Sequence, residues 1–304
     1  MKIPIVFSCD QHVAMPAGVC ISSLLANARE ETHYDIYILH NAENLRAEHR
    51  REIEKVKTQY PDCQLTFIDV GNHFTGCFEV RNITIAAYYR LMIAELLPQY
   101  DKVLYGDVDM IFRDDLSHVY ETSLRDNELI AGVNTRSNRD IRQNCEKIGH
   151  TADVYVNTGF LVINTKLWRE EQLTPKLLAH TDKPYKYNYV DQDIINLVCQ
   201  GRTEAIPLRY NYTNSLYADA HQHPDRAAQL SELELRSTVH YTGGKPWKSP
   251  CLRGDIWWEY YRRSAFFDAG FYYRQTMSYI GLGRYSFLSL AKHLTLRMIG
   301  KAPR

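Results

Sequence analysis

The sequence has no long apolar run, no glycine-rich phosphate loop and no net charge. Each absence removes a class of protein. No stretch of about 18 apolar residues occurs, so no membrane-spanning helix is expected. Lys and Arg number 36, as do Asp and Glu, for a formal net charge of +0. A nucleic-acid partner, which would need a basic face, is therefore not expected. The dinucleotide fingerprint G-x-G-x-x-G is missing after the first apolar run, and Gly244-Lys245 runs into Pro246 where a phosphate loop would need Ser or Thr. The 7 Cys are odd in number and have no pairwise rhythm. Cys9, Cys20 and Cys199 sit in apolar surroundings, as buried reduced thiols do, and a reducing cytoplasm is the simplest setting. The opening Met1–Phe7 turns polar at Ser8, too early for a signal sequence, and reads as a first strand.

What is present is ordinary globular material. The 304 residues are 45% hydrophobic and 24% charged, enough for one large domain or two unequal ones. Tyr is frequent, at 22, and its flat face with a hydroxyl suits sugars as well as cores. Strands are expected at Ile3–Ser8, Tyr34–His40, Gln64–Val70 and Lys102–Tyr105. Helices are expected at Pro16–Ala28, Leu45–Gln59 and Ile85–Leu97, the first with Pro16 tolerated in its opening turn. The alternation predicts an α/β fold, a mainly parallel sheet with helices on both faces. Ligands of such sheets bind beyond the carboxyl ends of strands. Both Cys9-Asp10-Gln11-His12 and Gly106-Asp107-Val108-Asp109 fall at such ends.

A nucleotide bound here without a glycine loop needs another counter-charge for its phosphates, and a divalent cation supplies one. Residues i and i+2 leaving a strand point to one side, so Asp107 and Asp109 converge. Hard oxygen ligands suit Mg²⁺ or Mn²⁺. The competing reading makes them turn residues at a strand end. Asp191-Gln192-Asp193 repeats the pattern without a preceding apolar strand. His240 ends the run Thr238-Val239-His240 and is followed by Gly243-Gly244-Lys245. It reads either as a structural histidine or as a third ligand beside a phosphate-binding lysine; as a ligand, its imidazole favours Mn²⁺.

These residues resemble family 8 of the retaining glycosyltransferases, a group that includes bacterial lipopolysaccharide galactosyl- and glucosyltransferases and glycogenin. The resemblance covers roughly residues 3–250. It rests on Ile5-Val6-Phe7-Ser8-Cys9-Asp10, Tyr89-Arg90-Leu91, Val103 through Asp109, Tyr155-Val156-Asn157-Thr158-Gly159-Phe160, Asp191-Gln192-Asp193, and His240-Tyr241 through Lys245-Pro246-Trp247. It implies a GT-A fold, a UDP-sugar donor (UDP-galactose or UDP-glucose), and Mn²⁺, with Mg²⁺ as the alternative, held by Asp107, Asp109 and His240. It implies uridine contacts at Ser8, Asp10 and His12, a donor-side arginine at Arg90, and a diphosphate clamp at Gly243 and Lys245, with Val108 between the carboxylates. Asn157, Asp191 and Gln192 are implied around the donor sugar as the catalytic groups. Two departures stand out. Val13 holds the place where the family often stacks a tyrosine on uracil, and the His-to-Lys loop is about one residue shorter than in some relatives.

Retention then requires two inversions or a same-face attack. A carboxamide is a poor nucleophile, so Gln192 argues for same-face attack, with Asp191 as the alternative nucleophile. Asp191 also reads as the N-cap of the apolar run Ile194–Val198, Asp10 as a cap near Pro16, Asn157 as a turn residue, and Arg90 as an ion-pair partner alone. The acceptor is expected to be lipopolysaccharide core or another glycolipid or surface glycan, recognised around Tyr212–His223. Residues 1–250 are expected to form the catalytic domain, and 251–304 a small helical region. After Asp268 no acidic residue appears, while Arg274, Arg284, Lys292, Arg297, Lys301 and Arg304 interleave with aromatic and leucine residues. That pattern suits peripheral attachment to the inner membrane face, or a helix packed on the core. Two rival functions remain: a non-catalytic nucleotide-sugar or carbohydrate-binding protein on the same fold, and a metal-dependent phosphohydrolase.

Overall fold

The computed structural model describes residues 1–79, 83–125, 127–181, 187–221, 233 and 235–279. Ten strands are present among them: β1 (Lys2–Ser8), β2 (His33–His40), β3 (Gln64–Asp69), β4 (Val103–Gly106), β5 (Met110–Ile111), β6 (Ile130–Asn134), β7 (Val156–Ile163), β8 (Thr203–Ala205), β9 (Tyr212–Thr213) and β10 (Val239–His240). Seven of them form a sheet in the order β3-β2-β1-β4-β7-β6-β8, and β5-β10-β9 form a small second sheet. In the large sheet β1 pairs parallel with β2 and β4, and β2 with β3. Only β7 runs against its neighbours, pairing antiparallel with both β4 and β6.

The strand sequences explain the layering. Side chains alternate across a sheet, and in β1 Ile3, Ile5 and Phe7 join one hydrophobic cluster while Val6 joins another. Leu104, Phe160 and Val162 follow the first group, and Val103, Tyr105, Leu161 and Ile163 the second. Both faces are thus covered, which is why these strands read as continuous apolar runs. Each fully buried side chain of this size contributes about 1.5–3 kcal/mol.

Helix Ala14–Ala26 follows β1 with Pro16 in its first turn, where no amide donor is needed. A Cβ on Gly18 of this helix would lie 2.0 Å from the Phe266 ring, so the glycine is what admits the C-terminal part of the chain. Helix Gly254–Arg263 buries Trp257, Trp258 and Tyr261 in the same cluster as Ile3, Val19 and Leu24. Phe271 and Tyr272 on helix Ala269–Tyr279 continue that packing against Trp258, with ring centroids at 6.0 and 5.4 Å. The start of the basic aromatic tail therefore lies on the core. The expectation of membrane attachment from Arg284 onward falls outside the described residues. Among the described residues no helix is long and apolar enough to cross a membrane.

The segment expected as one helix over Ile85–Leu97 is a 3-10 helix over Ile85–Met92 and a short α-helix over Ile93–Leu96. Arg90 Nε donates to the Ala87 carbonyl at 2.9 Å, an acceptor that an α-helix would give to the Leu91 amide. The second expected helix likewise ends early as α, at Glu54, and continues as a 3-10 turn over Lys55–Thr58.

Candidate metal centre and donor cleft

The carboxyl ends of β1, β4 and β6 and the amino end of β7 meet at one edge of the sheet. Beside the ends of β4, β6 and β7 lies a cleft of about 520 Å³ lined by Arg90, Asp107, Asp109, Asn157, Gln192 and His240, among others. The cluster is assembled by both sheets. β4 ends at Gly106, and the Asp107 amide donates to the Gly159 carbonyl of β7 at 2.8 Å. His240 pairs with Met110 across β5 and β10, and the Tyr241 amide donates to the Asp109 carbonyl at 3.0 Å. Ligand atoms of Asp107, Asp109 and His240 consequently all lie within 4.8 Å of one another.

The donor chemistry fits a divalent cation. His240 Nε2 lies 3.2 Å from Asp109 Oδ1 and 3.7 Å from Asp107 Oδ2. Asp109 Oδ1 is buried and accepts no hydrogen bond, a costly position for a carboxylate oxygen unless something positive sits against it. Its other oxygen accepts from Lys245 Nζ, which also donates to the Tyr241 carbonyl at 2.7 Å. Burial works against the Asp109 charge. The neighbouring Lys245 ammonium outweighs it and holds the carboxyl far below its usual range. Lys245 is thus at the cluster itself, pairing a carboxylate.

Arg90 is buried and makes four polar contacts. Its guanidinium donates to Asp107 Oδ1 at 2.9 Å and to the Thr158 carbonyl at 2.7 Å, Nε lies 3.2 Å from Asp191 Oδ2 besides the bond to Ala87, and the group stacks over Tyr105 at 4.2 Å. Burial alone would lower its pKa, but Asp107 and Asp191 raise it above the ordinary arginine value. Tyr105 Oη donates to the same Asp107 oxygen at 2.8 Å. Asp107 is in this way fixed by two groups, leaving its second oxygen toward His240.

Helix Asp191–Val198 begins with Asp191 inside its first turn, and Val190 holds the cap position at φ 48 with no side-chain cap. The capping reading of Asp191 is therefore replaced. Its carboxylate turns to Arg90 and accepts from Thr158 Oγ1 at 3.2 Å. Burial pushes its pKa up to about 6; Arg90 pulls against this and Asp107 adds to it. Gln192 Oε1 accepts from Asn157 Nδ2 at 3.0 Å and from the Thr158 amide at 3.3 Å. Asn157 is inside β7, not at a turn.

The residues expected at uridine stand apart from these. Asp10 accepts from the His12 amide at 2.9 Å, capping the short turn Gln11–Val13, and from Thr84 Oγ1 at 2.9 Å. Ser8 is buried at the end of β1, and His12 is exposed. Val108 is buried, and Gly243 adopts φ 86, a left-handed turn that favours glycine. The acceptor segment Tyr212–His223 is described only to His221; Thr213, Ser215 and Leu216 of it line the cleft.

Three contributors were not expected as site residues, although Tyr155 and Gly159 lie in a block that carries the resemblance. Asn211 accepts from His240 Nδ1 at 2.8 Å. A Cβ on Gly159 would lie 2.2 Å from His240 Cε1, so only glycine leaves room for the imidazole. Tyr155 connects to Gln192 from beneath the cleft, at 3.1 Å.

A seven-stranded, largely parallel sheet with one reversed strand and an Asp–Asp–His cluster at its carboxyl edge is the GT-A architecture. The galactosyltransferase LgtC, crystallised with donor and acceptor sugar analogues, superposes with a TM-score of 0.73 at 27% identity, over 88% of this chain and 98% of LgtC. Residues 4–251 match the model of glycosyl transferase family 8, and the chain belongs to that family. Among curated relatives, lipopolysaccharide 1,2-glucosyltransferase of Escherichia coli is 28% identical over 80% of this chain and 72% of its own length. Glycosyltransferase GlyB of Streptococcus pneumoniae is 27% identical over 65% of this chain. The matched region spans 48% of GlyB and 63% of a putative glycosyltransferase of Haemophilus influenzae.

Proposed function

We propose that the chain is a retaining hexosyltransferase that moves galactose or glucose from a UDP-sugar to a saccharide acceptor, with Mn²⁺ at Asp107, Asp109 and His240. The convergence of those three ligand atoms within 4.8 Å carries the reading. Relatives named as lipopolysaccharide glucosyl- and galactosyltransferases support the choice of hexose and of a surface glycan or glycolipid as acceptor. A catalytic unit over 1–250, with the basic residues after Arg284 at a membrane surface, fits a lipid-linked acceptor.

A divalent cation bound there supplies neutralisation of the diphosphate leaving group. The protein's own residues set the rest. Lys245 adds a positive charge on the same side of the cleft, and the left-handed turn at Gly243 shapes the loop before it. Arg90 lies between Asp107 and Asp191 and offsets part of the repulsion between the two carboxylates. Gln192 has two donors on its carbonyl oxygen, and Asp191 is engaged by Arg90 and Thr158. Those engagements weigh against either as nucleophile and support a same-face attack, with the departing phosphate oxygen taking the acceptor proton. Asn157 and Gln192 then serve to position the donor sugar.

The test is a panel of UDP-sugars with Mn²⁺ or Mg²⁺, with and without oligosaccharide acceptors, reading UDP release. Acceptor-driven release with UDP-galactose or UDP-glucose is expected. Binding without release under every condition would establish the non-catalytic alternative, and release indifferent to acceptor would indicate a hydrolase.

A further inference from the structure

Five polar side chains run in an unbroken line from the imidazole of His240 to a carboxylate buried beneath the cleft, and their hydrogen bonds share one direction. The direction follows from two backbone amides, which are donors by constitution. The Gly159 amide meets Asn157 at 3.0 Å, so the atom it meets is the side-chain oxygen Oδ1. Asn211 reaches the same oxygen at 2.8 Å and must present its NH₂ group there. The Asn211 oxygen therefore faces His240 Nδ1, at 2.8 Å, and that ring nitrogen carries the proton. The Thr158 amide meets Gln192 at 3.3 Å and identifies that atom as Oε1, which also accepts from Asn157 Nδ2 at 3.0 Å. Gln192 must then donate through Nε2, and it does so to Tyr155 Oη at 3.1 Å. Tyr155 Oη in turn donates to Asp193 Oδ1.

Asp193 is the sink of this line. It is fully buried, and Asn144 Nδ2 and the Tyr189 amide also donate to it, at 2.6 and 2.9 Å. A carboxylate surrounded by donors accepts from all of them, so the chain cannot reverse without stranding a buried polar atom. Every donor from His240 onward points along the line toward Asp193. The neutral ring then has one free lone pair, on Nε2, the atom that faces Asp107 and Asp109.

We propose that Asn211, Asn157, Gln192, Tyr155 and Asp193 form a directional hydrogen-bond relay that locks His240 in its Nδ1–H tautomer, so that Nε2 is held ready as a ligand before any cation arrives. Asn211 is a positioning residue that acts through His240. The tautomer itself does not depend on the metal; its purpose rests on the metal reading above. The relay gives Gln192 a role in which its carboxamide, unlike a carboxylate, both accepts and donates. An ionised glutamate at 192 could not donate to Tyr155 while accepting from Thr158.

The test begins with the wild-type protein, metal-free and ¹⁵N-labelled at histidine, at alkaline pH where the ring is neutral. The His240 signals, assigned by their loss in His240→Gln, are expected to show the proton on Nδ1; a proton on Nε2 would overturn the proposal. Mn²⁺ titration by calorimetry follows. Asn211→Leu, which cannot accept, is expected to weaken binding at least tenfold, the usual scale for loss of a group orienting a histidine ligand. Asn211→Asp keeps the acceptor for Nδ1–H but loses the donor to Asn157 Oδ1, so it is expected to lose less affinity than Asn211→Leu. Equal affinity of wild type and a folded Asn211→Leu would sink the relay, and the wild-type spectrum decides even where that variant does not fold. An Nδ1–H ring in a protein that binds no Mn²⁺ would leave the relay standing and remove the metal assignment.

Discussion

Replacing Gly159 by alanine tests whether the metal centre depends on the closeness of β7 to His240. The new Cβ would lie 2.2 Å from His240 Cε1, 2.7 Å from Nδ1 and 3.0 Å from Asn157 Oδ1. Carbon atoms in contact prefer about 3.5–4.0 Å, so more than 1 Å of overlap must be relieved. The strand cannot yield cheaply. The Gly159 carbonyl holds the Asp107 amide at 2.8 Å, and Phe160 is in register with Gly106. The ring must move, and it is 3% exposed with its Nδ1 tied to Asn211. Overpacking costs about 1–3 kcal/mol and the lost hydrogen bond about 1 kcal/mol more. For a chain of 304 residues that is a fall in Tm of about 3–6 °C. The larger effect falls on the cation. A displaced imidazole leaves two carboxylates, and Mn²⁺ affinity should drop by about 100-fold or more, beyond the about 10–100-fold lost with an outer-sphere partner. Calorimetric titration with Mn²⁺ and thermal unfolding with and without the ion read both numbers. A folded Gly159→Ala protein that binds Mn²⁺ as tightly as wild type would refute His240 as a ligand.

Two more substitutions have opposite signs that a merely structural role would not produce. Lys245→Gln removes the ammonium that shares Asp109. Nucleotide-free Mn²⁺ affinity should rise, by about tenfold for 1–2 kcal/mol of relieved repulsion in a partly screened site, while sugar transfer falls about 100-fold or more; weakening of both would show that Lys245 and the cation do not compete. Asp191 holds its proton more tightly folded than unfolded, its pKa rising from 3.8 to about 6. Stability must then decline as pH rises from about 4 to about 6, by about 3 kcal/mol, and that cost is fully present above pH 6. Asp191→Asn abolishes this slope, so urea unfolding at pH 4 and pH 7 should show the variant gaining on wild type by about that amount; parallel profiles would refute the buried, proton-holding carboxyl.

The parts of the molecule that were legible in the sequence are those in which one signal dominates. β1, β2 and β4 are short, largely buried apolar runs; Ser8 and His40 end the first two, and Asp107 follows Gly106 at the end of the third. Asp107 and Asp109 follow one such run, so their convergence could be read from side-chain alternation alone. β7 shows what that signal lacks. Val156–Ile163 is as apolar as its neighbours, but nothing in an apolar run states which way it points. β5, β9 and β10 are two residues each, too short for any period, yet they bring His240 to Asp109. Asn211 lies just before β9 with no motif around it. The helical pattern of Ile85–Leu97 was visible, but not its tightening to 3-10 form, because the buried Arg90 that competes for Ala87 does so only once Asp107 and Asp191 surround it.

The reversal of β7 is what makes the centre possible. In a wholly parallel sheet every strand would present its last residues at the carboxyl edge, and β4 would have carboxyl ends on both sides. β7 instead brings its first residues there, opposite Gly106 and Asp107. Those first residues are Asn157, Thr158 and Gly159, and each supplies something a strand end rarely offers. Asn157 gives an amide that accepts and donates at once, and the Thr158 carbonyl holds Arg90. Gly159 leaves a bare backbone against which an imidazole can lie. Turning β7 around would take one acceptor from Arg90, both donors from Gln192 Oε1 and the space that His240 occupies, at a cost of about 1–3 kcal/mol for each stranded group. Topology and chemistry are in this sense one choice. The strand direction that seems arbitrary in the apolar pattern is enforced by the polar residues at its start, which have hydrogen-bond partners in only one orientation.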